Sequence, residues 1–114
     1  MNIESFNENL EFSDNRIVTE VILETSFSKE IRILLKNGQT MKEHKATLPI
    51  IVHVLKGEID FGIEGEIKSL KKGDVITLDS NIYHDLTAKR DSIVRLTLSK
   101  LDDAARVKNV ADKS

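Results

Sequence analysis

The chain has no cysteine among its 114 residues, which excludes disulfides, thiolate metal sites and cysteine nucleophiles. That absence suits a reducing cytoplasm, the compartment expected for it. An excess of positive charge is missing too: 17 basic residues stand against 19 acidic ones, for a formal charge of −2. Nucleic-acid binding usually needs a basic field, so no nucleic-acid partner is expected. No apolar run approaches the roughly 20 residues that span a bilayer, and no membrane partner is expected either. Met1-Asn2-Ile3-Glu4-Ser5 has neither the basic nor the apolar region of a signal peptide. A Gly-rich phosphate loop and a nucleophile elbow are both lacking. No serine stands at a recognisable spacing from a histidine and an acid.

What the chain does contain is short alternating segments between turns. Its length suits one domain, since single cores run to about 100–150 residues. Residues 1–16 are polar, with Phe6, Leu10 and Phe12 as isolated anchors, and are expected to form an arm docked on a surface, that of a partner included. Strands are expected over Ile17–Phe27 and Glu30–Leu35, the second with Ile31, Ile33 and Leu35 on one face and Arg32 on the other. Ile50–Leu55 is nearly all apolar, which suggests burial on both faces or a place in an interface. Further strands are expected through Ile59, Phe61 and Ile63, then Ile67–Leu70, Val75–Leu78, Ile82–Ala88 and Ile93–Leu98. Turn signals at Asn37-Gly38, Lys56-Gly57, Glu64-Gly65 and Lys72-Gly73 punctuate them. Turns about every 8–12 residues, with no long helical period between them, predict an all-β sandwich or small barrel over residues 17–100. In the tail, residues 101–114, only Leu101–Val110 has a helical pattern, with Leu101, Ala104, Ala105 and Val107 on one side. Asp112-Lys113-Ser114 is expected to fray.

The three histidines are His44, His53 and His84. A lone histidine is more often a satisfied polar residue than a ligand. His44, however, follows the turn glycine Gly38 by six residues, and His84 follows Gly73 by eleven. Here the chain resembles the cupin family, whose first motif is G-x5-H-x-H-x3-4-E-x6-G and whose second is G-x5-P-x-G-x2-H-x3-N. Gly38, His44 and Gly57 match the first, with Ala46 where the second histidine belongs and Ile50 where the glutamate belongs. Gly73 and His84 match the second, while Asp79, Asn81 and Ala88 replace the proline, glycine and asparagine. The resemblance runs from about Lys29 to Leu98, and His44-Lys45-Ala46 followed by Val54-Leu55-Lys56-Gly57 is similar to small single-domain bacterial cupins without assigned catalysis.

The resemblance implies a double-stranded β-helix, or jelly-roll barrel, to which the tail pattern adds a short C-terminal helix. It implies a pocket lined by His44, Ala46, Ile50, Phe61, His84 and Leu86. Positions 44, 46 and 50 are expected on one wall, with His44 and His84 approaching across the mouth. Metals held in such sites want three or more protein ligands. Ala46 and Ile50 have no lone pairs, so His44 and His84 are the remaining candidate metal ligands. The expectation is no cofactor, the alternative a weakly bound divalent ion such as Zn, Ni, Fe or Mn. His53 is expected to point outward with Ile51, and Tyr83 away from the pocket; Lys42, Glu43 and Lys45 are expected in solvent. Catalytic residues are unknown, although two imidazoles can act as acid and base. The favoured reading is a homodimeric module holding an unknown small molecule. The alternatives are a metal-dependent isomerase or dioxygenase, and a sensor domain acting through a separate protein.

Overall fold

Alternation of apolar and polar side chains sets the strands, because successive residues of an extended chain face opposite ways. The computed structural model describes residues 1–102 and 104–114. The strands are β1 Val18–Glu24, β2 Ser28–Leu35, β3 Thr40–His44, β4 Ile50–Lys56, β5 Glu58–Ile63, β6 Glu66–Lys71, β7 Val75–Leu78, β8 His84–Ala88 and β9 Ser92–Ser99, followed by the helix α1 Ala104–Asp112. They form a five-stranded sheet in the order β1-β2-β9-β4-β7 and a four-stranded sheet in the order β3-β8-β5-β6. Every pairing is antiparallel. This is the expected all-β double-stranded β-helix. Ile31, Ile33, Val52, Val54, Val94, Leu96 and Leu98 of the larger sheet join Met41, Ile59, Phe61, Leu86 and Ala88 of the smaller in one apolar core.

The differences from expectation lie at the ends of elements. The first strand stops at Glu24 and not at Phe27, because the Thr25 hydroxyl accepts the backbone N–H groups of Phe27 and Ser28 and makes a turn. β8 begins at His84 and not at Ile82, since Asn81 just before it takes a left-handed backbone with φ of 65°. β4 is not covered on both faces: Ile50, Val52 and Val54 are buried while Ile51 is 43% exposed. At the turn after β4, Gly57 has φ of 92°, and a Cβ there would lie 2.7 Å from the Asp91 carbonyl oxygen. The close approach of two chains therefore requires glycine at this position of the motif.

The tail helix is shifted from Leu101–Val110 to Ala104–Asp112. Asp103, inside the expected span, lies outside the described residues. The buried face is Val107 and Ala111, whereas Leu101 is 87% exposed and Ala105 is exposed too. The last residues are held: Lys108 pairs with Asp112 at 2.6 Å, and the Ser114 hydroxyl accepts the Lys42 N–H at 3.1 Å. Among the described residues no helix is long and apolar enough to cross a membrane.

The N-terminal arm docks on its own barrel. Arg32 faces outward from β2, yet its side chain is only 4% exposed. Its guanidinium donates to the backbone carbonyls of Phe6, Glu8 and Asn9 at 3.4, 2.8 and 3.3 Å, and to Glu20 at 2.9 Å. The Phe6 ring lies 5.3 Å from the Arg95 guanidinium, and Gln39 donates to the Ser13 carbonyl. A charge this buried is tolerated because several oxygens share it. Among the described residues, Arg32 Nε is a buried side-chain nitrogen without a partner. Arg32→Ala should free the arm and cost about 2–3 kcal/mol. Limited proteolysis ahead of Ile17 together with a urea titration checks it, and an uncut arm with an unmoved midpoint would mean that other contacts hold the arm.

Candidate ligand site at the barrel mouth

β3 pairs with β8 so that His44 and His84 are direct cross-strand partners. A register shift between Met41 and His44 precedes the pair. Residues opposite one another on antiparallel strands share a face, and the two imidazole centroids lie 4.3 Å apart with their planes tilted by 59°. The Phe61 ring, from the neighbouring strand β5, stacks on His84 at 5.5 Å and 5°. The pair therefore sits side by side on one sheet; it does not reach across the mouth from facing walls.

Each ring is oriented by its own backbone. Nδ1 of His44 lies 2.7 Å from the Lys42 carbonyl oxygen, and Nδ1 of His84 lies 3.0 Å from that of Ile82. A carbonyl oxygen only accepts, so Nδ1 must carry the proton in both rings. In the neutral imidazoles Nε2 is then a lone pair. Burial disfavours the charged form and pushes the His84 pKa down to about 4, with His44 and Arg106 adding to the effect against the Ile82 hydrogen bond. Burial lowers that of His44 in the same direction, opposed first by the Lys42 carbonyl. Both rings are neutral at pH 7.

The remaining walls come from both sheets and from α1. Ile33, Met41, Ile50, Val52, Leu86 and Leu96 form an apolar cup with the two histidines, and Arg106 and Val107 close it. The closed space is about 20 Å³, room for roughly one water. Arg106 is braced by Asp102, Nε to Oδ1 at 3.3 Å and Nη2 to Oδ2 at 3.0 Å.

Of the expected pocket residues, His44, Ile50, His84 and Leu86 line this cavity, and Ala46 and Phe61 do not. Phe61 is fully buried behind His84. Ala46 falls in the loop after β3, where its carbonyl accepts the Asn81 N–H at 2.7 Å. The chain crosses from one sheet to the other between His44 and Ile50, so positions 44, 46 and 50 do not share a wall. His53 is half-buried on the outer face beside Val75 and Arg95. Tyr83 is 52% exposed, with the Lys45 ammonium 5.0 Å from its ring centre. Lys42 and Glu43 are exposed as well. Arg106 was not foreseen from the sequence; its one signal there is an acid four residues earlier, the spacing of a helical ion pair.

The donor set does not fit a divalent metal. Two imidazoles are among the cup's lining residues, its one charged lining residue is a cation, and such an ion wants three or more ligands. Among the described residues no group of three or more His, Cys, Asp or Glu side chains gathers.

The depressed His84 pKa makes stability depend on pH. Between its ordinary 6.5 and about 4, the unfolded chain binds a proton that the folded chain refuses. Stability should be complete above pH 6.5, fall as pH drops towards 4, and lose about 2–3 kcal/mol from this group. His84→Gln should flatten the slope over that window in denaturant titrations; an equal slope in both proteins would show that other groups set it.

The family model for the cupin domain matches residues 31–99. A comparison with curated proteins finds no match. Among solved structures, an RmlC-like cupin protein from Desulfovibrio desulfuricans superposes with a TM-score of 0.77 at 25% identity, covering 87% of this chain and 96% of that one. KdgF from Halomonas sp. superposes with a TM-score of 0.73 at 21% identity, covering 87% and 94%. A conserved protein of unknown function from Streptococcus pyogenes gives 0.74 at 17% identity, covering 90% of each chain. The last two speak to fold alone. A family model that spans more than half of the chain, on a barrel that superposes over nearly the whole of these structures, places this protein in the cupin family.

Proposed function

We propose that this cupin is a metal-independent module that binds a small molecule at the barrel mouth, with α1 as a lid, and works as a cytoplasmic homodimer. The observation that carries the reading is the composition of the mouth: two imidazole lone pairs and one braced guanidinium set in an apolar cup. A few convergent polar groups in an apolar hollow are the usual make-up of a ligand site. The lid is weakly seated. Val107 and Ala111 are its buried side chains, and burying a valine is worth only about 1.5–3 kcal/mol. Opening α1 therefore costs far less than unfolding the barrel, as in other low-stability elements that admit ligands.

Metal independence follows from the donor set and from Arg106, whose charge opposes a second cation. A metal site saturated a hundredfold over its Kd would add about 2.7 kcal/mol, a rise of roughly 10 °C for a domain of this size. Iron(II), manganese(II) and zinc(II) at micromolar concentrations should each leave Tm within about 1 °C. A clear rise with one ion, abolished by His44→Ala or His84→Ala, would put a metal-dependent enzyme ahead.

The second copy is proposed to cover the outer face of the larger sheet. Phe27 is 75%, Val75 57% and Ile51 43% exposed there, and an open hollow of about 430 Å³ lies between Phe27, Pro49, Ile51, Thr77 and Thr97. Exposed apolar patches of this kind mark contact surfaces. His53, beside Val75, would lie at the edge of the contact. Sedimentation at micromolar concentration should give a dimer, and Phe27→Asp combined with Ile51→Asp should give a folded monomer. A monomeric wild type would overturn this part.

A further inference from the structure

Resting on the binding-module reading, we propose that the mouth selects a small hydroxy carboxylate, its carboxylate on Arg106 and its hydroxyl donating to one of the two imidazoles, His44 or His84. The groups at the mouth define the complement. Arg106 spends Nε and Nη2 on Asp102, which fixes the plane of the guanidinium, and Nη1 makes no hydrogen bond among the described residues. A fixed guanidinium with a spare N–H is a carboxylate receptor.

Opposite in character stand the two Nε2 atoms. Both Nδ1–H groups are used on backbone carbonyls, and neither Nε2 has a partner among the described residues. Each can only accept from a neutral ring. The rest of the cup, Ile33, Met41, Ile50, Leu86 and Val107 among it, offers no polar group and suits a short aliphatic chain.

Alternatives meet a mismatch in this arrangement. A plain carboxylate gives Arg106 its oxygen but brings no donor to the two lone pairs and sets its own negative oxygens against them. A plain alcohol satisfies a lone pair and leaves the guanidinium without an anion. An amine or amino acid brings a second cation beside Arg106. A hydroxy acid supplies one acceptor group and one donor on adjacent carbons. An unpaired buried group is what separates near-identical ligands most sharply. Because the closed cavity has room for about one water, such a ligand enters by lifting α1, and Arg106 rides on that helix.

The probes are 2-hydroxybutyrate, butyrate and 1,2-butanediol, titrated into the full-length protein. Binding is read by calorimetry and by the imidazole nitrogen NMR signals of His44 and His84. The hydroxy acid should bind at least about tenfold more tightly than either of the others, butyrate lacking the hydroxyl's hydrogen bond to an imidazole and the diol lacking the charge-assisted bond to Arg106. Arg106→Gln should remove its advantage over the diol while the diol still binds; Arg106→Lys, which keeps the charge and the helix, should restore part of it. Equal binding of all three probes, or an advantage that survives Arg106→Gln in a folded protein, would overturn the hydroxy-acid assignment and leave the binding-module reading standing. Absence of any shift at either imidazole with all three would overturn both.

Discussion

The pairing of β9 between β2 and β4 is the interaction on which the rest of the molecule depends. Eight consecutive residues, Ser92 to Ser99, are matched in register with β2, and most are matched again with β4 on the other side. Val94, Leu96 and Leu98 are thereby fixed in the interior. The strand is late in the chain, so the larger sheet closes only when its last member inserts between two earlier ones. Such non-local pairing is slow to find and cooperative once found. It also decides where the chain leaves the barrel, and so where α1 can lie.

The mouth gains its character from a balance between desolvation and backbone hydrogen bonding. Burial strips charge from the two imidazoles, while carbonyls two residues upstream choose which nitrogen keeps its proton. The positive charge that remains at the cup comes from the helix, and its counter-charge, Asp102, lies one turn earlier. A centre built this way holds its charge on the helix and its lone pairs on the sheet.

Much of the barrel was legible because its strands obey period two: Ile31, Ile33 and Leu35, or Val94, Leu96 and Leu98, can face one core only as strands. The glycine turns were legible for a related reason, since Gly38, Gly57, Gly65 and Gly73 all take positive φ. His44 and His84 were brought together as their motif positions suggested. What was not legible depends on long-range geometry. The loop after His44 carries the chain between sheets, and a count of residues along one strand cannot register that change, which misplaced Ala46. A helix of nine residues with two small buried side chains leaves a weak periodic signal, so its phase was misread and Arg106 went unseen. The arm was illegible for another reason: it is held through main-chain carbonyls gathered by Arg32, and carbonyls are the same in every residue.

The stacked pair of Phe61 and His84 has a spectroscopic consequence. A proton lying over an aromatic ring is shielded by its circulating electrons, and rings 5.5 Å apart and 5° from parallel put the His84 imidazole in that zone. His44, tilted by 59° against His84 and not stacked on Phe61, lacks the same shielding. With no tryptophan and a single tyrosine exposed at the surface, fluorescence is nearly blind to the mouth. The ring current of Phe61 makes up for that, giving each of the two histidines its own address in a proton spectrum without any label.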